Sequence, residues 1–370
     1  MRVLGLTSYP EAAAATRFRM VQFVKPLMER GIELSISSFL SDEQFRHLYD
    51  SNGLVKKAFS MFRPLAKRIG EIFEVRKYDL IFVQREAMFF GPGIFEWLLS
   101  RAGNIPMVLD LDDATYFSYI SPSYGRLGSA FKFFGKTDNL IRRSDAVICG
   151  NRIIAEHVRS LGTKAVTVPT IVDTDLFCPV EKTNEIPIVG WIGTHSTYPF
   201  LEWLYPVLER LAVKHRFILR VVGSGRETIA VNGVEVENRK WALDREIEDF
   251  QTLDIGLYPL TLSDSANMDW LTGKSGFKAI QYMAVGVPFV MSPVGVCSEL
   301  GEPEKTHFNA TSHEDWYNSL DKLFSDPELR KQMGSAGRRY SQANFEIGKL
   351  ADILTNTLRS IVENEVPPTS

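Results

Sequence analysis

The chain has 370 residues, which at roughly 150 residues per domain indicates two compact domains with room for a terminal appendage. Lys plus Arg total 42 against 45 for Asp plus Glu, and the resulting charge of −3 argues against a generalised nucleic-acid binder. Apolar residues at 45% and charged residues at 24% exclude wholesale disorder, while Cys149, Cys178 and Cys297 are too scattered for a metal cluster, a redox pair or a disulfide framework.

The opening apolar run, 3–6, gives way at once to Thr7-Ser8-Tyr9-Pro10, too short for a secretory signal, and no later run reaches bilayer-spanning length. The expectation is a cytoplasmic protein. Run 3–6 reads as a buried strand and 12–30 as a helix closed by Gly31, followed by strands at 32–37, 80–83, 107–111, 146–149 and 165–168. Short apolar strands separated by helices imply βαβ crossovers and a parallel sheet. The polar stretch 181–185, between Pro179 and Pro187, reads as a linker. The rhythm then restarts with strands at 188–192, 217–222, 255–258 and 287–291, and helices at 198–215, 244–252, 275–285, 313–324 and 326–343. The chain is therefore expected to be α/β, with an N-terminal domain over 1–180, a C-terminal domain over 186–345 and a last helix at 346–364. Ligands of such folds bind at the carboxyl ends of the strands, so the loops there are where chemistry is sought.

The segment 269–295 carries the densest signal. Gly273 and Gly276 bracket a loop entering a helix that ends at Gly286, and a helix N-terminus offers free N–H groups and positive dipole to an anion. Lys274, Lys278 and Gln281 fall at spacings that share one helical face, beside Phe277 and Ile280 on the packing face. Two lysines and an amide one turn on suit a diphosphate followed by a ribose; the same residue types also suit an ordinary solvated helix face. Asp112 and Asp113, after the 107–111 strand, suit acceptor orientation or acid–base help, less readily a metal site, or simply a turn and helix cap. Arg85 and Glu86 follow the preceding strand, and Arg17 and Arg19 lie on the first helix, where they can grip an anionic acceptor or sit on the surface.

The 254–295 block resembles the nucleotide-sugar-binding region of group 1 glycosyltransferases, the retaining family 4 type with the GT-B fold of two Rossmann-like domains facing a cleft. Segments 168–173, 188–196 and 221–225 are similar to further segments of that family in the same order. The resemblance implies transfer of a hexose from a nucleotide diphosphate sugar to a glycan, lipid-linked or other acceptor, in surface polysaccharide or glycoconjugate synthesis. It implies an acceptor-binding N-terminal domain using Arg17, Arg19, Arg85 and Glu86, with catalytic help from Asp112 and Asp113. The donor would meet Gly193, Thr194, His195, Ser196, Gly223, Trp241, Gly276, Phe277 and Gln281, with Lys274 and Lys278 at the leaving diphosphate. No metal or other cofactor is required by this reading, in which preorganised cations stabilise the departing charge. Two departures stand out: Gln281 replaces a glutamate that binds the ribose, and Gly273 replaces the other glutamate of the family's E-x7-E pattern. They encourage one alternative, a catalytically silent GT-B scaffold; the other is a nucleotide-sugar epimerase of the same fold, whose acidic and histidine constellation is not evident in this sequence.

Lysines and arginines interleave with apolar residues over 53–78, and again over 126–143. Basic amphipathic segments can lie on an anionic membrane, giving a peripheral location on the inner face of the plasma membrane, or can pack their apolar face inside the domain.

Overall fold

A computed structural model describes residues 1–47, 60–117, 135–260 and 271–365. Residues 53–59 and 126–134 of the two basic segments, and Asp269 with Trp270, lie outside the described residues. The chain divides into two compact units: Met1–Thr170 together with Ile347–Ser370, and Ile171–Glu346.

The first unit runs β1 (Arg2–Thr7), α1 (Ala14–Arg19), α2 (Val24–Glu29), β2 (Glu33–Ser38), α3 (Asp42–Arg46), α4 (Phe62–Glu74), β3 (Leu80–Gln84), α5 (Ile94–Gly103), β4 (Met107–Leu111), α6 (Lys136–Arg143), β5 (Ala146–Cys149), α7 (Arg152–Ser160) and β6 (Ala165–Thr167). Its six strands are all parallel, in the order β2-β1-β3-β4-β5-β6. β3, β4 and β5 are buried at every position, as a sheet covered on both faces demands. The right-handed crossover rule then puts α4, α5, α6 and α7 on one face, where Val75, Phe95, Leu99, Leu140, Ile154 and Val158 share a core. Two buried arginines tie off the strand ends. Arg68 donates to the carbonyls of Thr7 (2.7 Å), Ser37 (3.1 Å) and Ala87 (3.0 Å), and Arg19 pairs with Asp110 while donating to Val168 O at 2.6 Å.

The second unit runs β7 (Ile188–Ile192), α8 (Tyr198–Glu202), α9 (Tyr205–Ala212), β8 (Ile218–Val222), β9 (Glu235–Arg239), α10 (Glu246–Gln251), β10 (Ile255–Tyr258), α11 (Phe277–Ala284), β11 (Phe289–Met291), β12 (Phe308–Asn309), α12 (His313–Ser325) and α13 (Pro327–Asn344). Its parallel sheet has the order β12-β11-β10-β7-β8-β9. α14 (Ile347–Glu365) belongs to the first unit, where it meets α2 through the Arg30–Asp352 ion pair at 2.6 Å and Arg30 Nη2 donating to Gly348 O.

Three expectations are revised. The 12–30 helix breaks into α1, a 3-10 turn and α2, because Pro26 has no N–H for Gln22 O and is tolerated only in a first turn. Pro206 divides the 198–215 helix into α8 and α9 in the same way. The segment 171–185 joins the second unit: Arg338 donates to Thr174 O and Phe177 O, each at 2.7 Å, and Gln251 Nε2 to Cys178 O at 2.7 Å.

His307 lies fully buried in the second unit, stacked on Phe289 and bonded to Asn309 Oδ1 at 3.1 Å. Burial pushes its imidazole down to about 4, against the Asn309 bond, from an ordinary 6.5. The unfolded chain therefore takes up a proton between these values that the folded unit refuses. The stability His307 contributes is complete above pH 6.5 and is lost as pH falls towards 4. Lowering the pH from neutral to the middle of that window should cost about 2 kcal/mol, read as a lower urea midpoint, and His307→Gln should flatten the slope.

Candidate functional site

In the second unit the loops after β7 and β8 cross at glycines. Gly193 N donates to Val222 O (3.0 Å) and Gly223 N to Arg239 O (3.0 Å), and a Cβ on Gly223 would stand 2.4 Å from Gly193 O. Gly223 also has φ +80°, so no other residue fits. The crossing brings Gly193, His195, Gly225 and Trp241 together: Cβ positions on Gly225 and Gly223 would lie 3.0 Å from His195 Cβ and 3.5 Å from Trp241 Cβ. Thr194, His195 and Ser196 are exposed, with the Thr194 and Ser196 hydroxyls 2.8 Å apart. Arg226, which the sequence reading passed over, extends this loop. Its N–H donates to Ser224 Oγ at 3.1 Å, its carbonyl accepts from Asn238 Nδ2 at 2.9 Å, and its guanidinium lies 5.3 Å from the Tyr198 ring centre. Its position directly after Gly223-Ser224-Gly225 was the available signal.

α11 begins at Phe277 after Gly276, whose φ of +65° and 2.2 Å clearance to Leu300 Cδ1 admit only glycine. Its first N–H groups point out of the helix start, the arrangement that receives anions. Lys274 precedes the first turn, so it does not share a helical face with Lys278 and Gln281 as the spacing suggested; it lies near Cys297 instead. The helix is buried on nearly every side from Ala279 to Ala284, because it passes under α13, where Gly334 and Gly337 allow backbone-close approach to Gly286 and Met283. Lys278 Nζ donates to Gln281 Oε1 at 2.9 Å and sits 4.9 Å from the Phe250 ring centre. Gln281 is fully buried, and its Nε2 has no hydrogen-bond partner among the described residues. Its oxygen is thus engaged by Lys278, and the amide N–H is what it can offer.

In the first unit the carboxyl end of β4 gathers the acidic residues. Asp112 accepts from Arg85 Nε (2.5 Å) and Nη2 (2.7 Å), and Asp113 accepts from the same Nη2 at 3.0 Å. Arg85 holds φ +60°, and its own N–H donates to Asp110 O at 2.8 Å. A non-glycine residue in the left-handed region stores strain that the surrounding bonds must outweigh. Burial alone would raise the Asp112 carboxyl, but Arg85 and then Arg19 outweigh it and hold the group below the usual carboxylate range. Asp112 is therefore a fixed anion, suited to orienting a partner rather than to donating a proton. Glu86 pairs with Lys136 at 2.7 Å. Arg17 Nη1 donates to Glu11 O (3.1 Å) and Ala12 O (3.2 Å), bracing the loop after β1. Arg19 was expected at an acceptor; its guanidinium is only 1% exposed and is committed to Asp110, so it positions the strand end instead. Among the described residues no three His, Cys, Asp or Glu side chains converge as a metal site, since Asp110 and Asp112 face arginines.

Two Rossmann-like units with all-parallel sheets define the GT-B class of glycosyltransferase folds. Residues 266–340, which run through α11 into α13, match the family model for glycosyl transferases group 1. No curated protein sequence matches the chain. Among solved structures, HepE of Anabaena in complex with UDP is 15% identical, with a TM-score of 0.64 over 97% of this chain and 100% of that one. A sucrose-phosphate synthase from Thermosynechococcus elongatus is 14% identical, with a TM-score of 0.67 over 99% and 100%. A glycosyltransferase from Rickettsia africae is 16% identical, with a TM-score of 0.70 over 98% and 99%. HepE has also been solved with UDP-glucose.

The Arg19–Asp110 pair gives a direct test of its positioning role. Arg19→Met leaves a buried carboxylate without its partner and should destabilise the first unit by about 3–5 kcal/mol in urea denaturation. Arg17→Met, on a half-exposed side chain, should cost less than about 1 kcal/mol in the same measurement.

Proposed function

We propose that the chain is a retaining, family 4 type hexosyltransferase that uses a uridine diphosphate sugar. In this reading the second unit holds the donor, and the first binds a glycan or lipid-linked acceptor. The observation that carries it is the match of residues 266–340 to group 1 glycosyl transferases, because that segment contains the glycine-capped start of α11. The UDP and UDP-glucose complexes of HepE support uridine as the base.

The chemistry is the loss of a diphosphate from an anomeric carbon, so positive charge must wait where negative charge grows. Lys274, Lys278, Arg226, the Ser196 N–H in the loop after β7 and the first turn of α11 are the supply, the N–H groups of Gly193 and Thr194 being held by Val222 O and Thr197 Oγ1. Phe277 and Gly276 border that turn, and Trp241 and Gly223 frame the nucleoside beside His195 and Thr194. Gln281, fully buried, acts through Lys278, whose ammonium its oxygen holds, rather than by touching the ribose. Asp112 and Asp113, fixed by Arg85, orient the acceptor hydroxyl, with Glu86 beside them. The acceptor oxygen bonds to the anomeric carbon on the face from which the diphosphate departs. The carbon–oxygen electron pair leaves with the diphosphate, and a phosphate oxygen takes the acceptor proton. No protein nucleophile enters, and configuration is retained.

Thermal melts with UDP-, GDP-, ADP- and dTDP-sugars test the donor, since a ligand that prefers the native state raises its melting temperature. A UDP-sugar should give the largest rise, and Lys278→Ala and Arg226→Ala should each weaken its binding about tenfold, or about 1.4 kcal/mol. Full donor affinity and transfer rate in Lys278→Ala would remove that lysine from the site. Binding of a UDP-sugar with neither transfer nor hydrolysis would instead assign the silent scaffold.

A further inference from the structure

We propose that the outer face of α4 and α5 in the first unit is a docking surface for an anionic lipid bilayer. This stands apart from the transferase reading and uses none of the residues assigned to it.

α4 turns Pro64, Arg68 and Val75 of the following turn inward, with Leu65 and Ile72 half-buried at the flanks. On the opposite side Phe62, Ala66, Ile69 and Phe73 follow one another at helical spacing and are all exposed, Phe62 at 75% and Phe73 at 81%. α5 packs alongside: Arg76 Nε donates to Ala102 O at 3.1 Å, and a Cβ on Gly103 would lie 3.1 Å from Val75 Cγ1. α5 buries Phe95 and Leu99 and leaves Ile94, Trp97 and Leu98 outward. Single exposed apolar residues are ordinary on a soluble protein, but seven on the outward sides of two adjoining helices form a patch.

The charge around that patch selects its occupant. Arg63, Lys67, Arg76, Lys77 and Arg101 are exposed on the same two helices and the turn between α4 and β3. The exposed Glu74 is already paired with Lys77 at 2.5 Å. Arg101 lies 5.6 Å from the Trp97 ring centre, placing a cation beside the indole. Aromatic and aliphatic side chains that enter the acyl boundary, bordered by cations at headgroup level, are the composition of an interfacial helix face. The outer sides of two packed helices form a ridge, which seats on a bilayer rather than receiving a peptide as a groove would. No described helix is long and apolar enough to cross a membrane, so this contact would be peripheral.

Flotation of the full chain with vesicles tests the assignment. The protein should float with vesicles containing about one third phosphatidylglycerol in phosphatidylcholine at low salt, and less at high salt. It should stay at the bottom with phosphatidylcholine alone. The triple variant F62S/I69S/F73S, whose side chains are exposed and whose melting temperature should be unchanged, should lose at least about tenfold in vesicle partition. Arg63→Glu with Arg101→Glu should lose about tenfold at low salt. No flotation with the anionic vesicles at low salt, or equal flotation of the triple variant, would overturn the proposal. So would a vesicle-free dimer that the triple variant dissolves, which would assign the face to a second copy of the chain.

Discussion

A parallel sheet brings the carbonyls at the carboxyl ends of its strands together at one edge, and these must be satisfied without filling the space that a ligand needs. The first unit meets this constraint with two buried guanidinium groups. Arg68 reaches the ends of β1 and β2 and the loop after β3, while Arg19 joins β4, through Asp110, to the segment after β6. A guanidinium cannot shed its proton and offers five donors in a fixed fork, so one buried arginine holds several acceptors at once. On that footing Arg85 can keep its left-handed backbone and grip Asp112 and Asp113 at the exposed side of the same strand end.

The second unit reaches the equivalent edge by omission. Gly193, Gly223 and Gly276 lie where a methyl group would strike a neighbouring carbonyl or side chain, and Gly334 allows α13 to settle on the end of α11. The N–H groups of Gly193 and Gly223 are spent on Val222 O and Arg239 O, so the backbone donors that do not depend on flexible side chains are those of the first turn of α11. Catalysis that needs preorganised charge benefits from groups that need no reordering during the reaction.

Most of the sheet was legible in the sequence, because central parallel strands are continuous apolar runs and few other elements produce them. β9 was not, since Glu235, Glu237 and Arg239 alternate on an edge strand whose charges pair with Arg220 and Asp249. β12 is two residues long and leaves no pattern. Pro26 and Pro206 break two helices, yet the apolar period runs on across each of them, so spacing alone predicts one helix in each stretch. At the site, glycines and lysines marked α11 because their types are informative. The role of Arg19 was not legible: a buried and an exposed arginine are the same letter, and its partner lies 91 residues away. The pairing of Lys278 with Gln281 was within reach of helical spacing, whereas the burial of the amide depended on α13, which follows it by more than forty residues.

The return of α14 to the first unit gives the chain an order of assembly. The second unit is one uninterrupted stretch, Ile171–Glu346, whereas the first needs segments from both ends of the sequence. During synthesis the second unit has all its residues before α14 has left the ribosome, and domains fold as units as they emerge. Until then α2 waits without its helical neighbour, and Arg30 without Asp352. The first unit begins first and closes last.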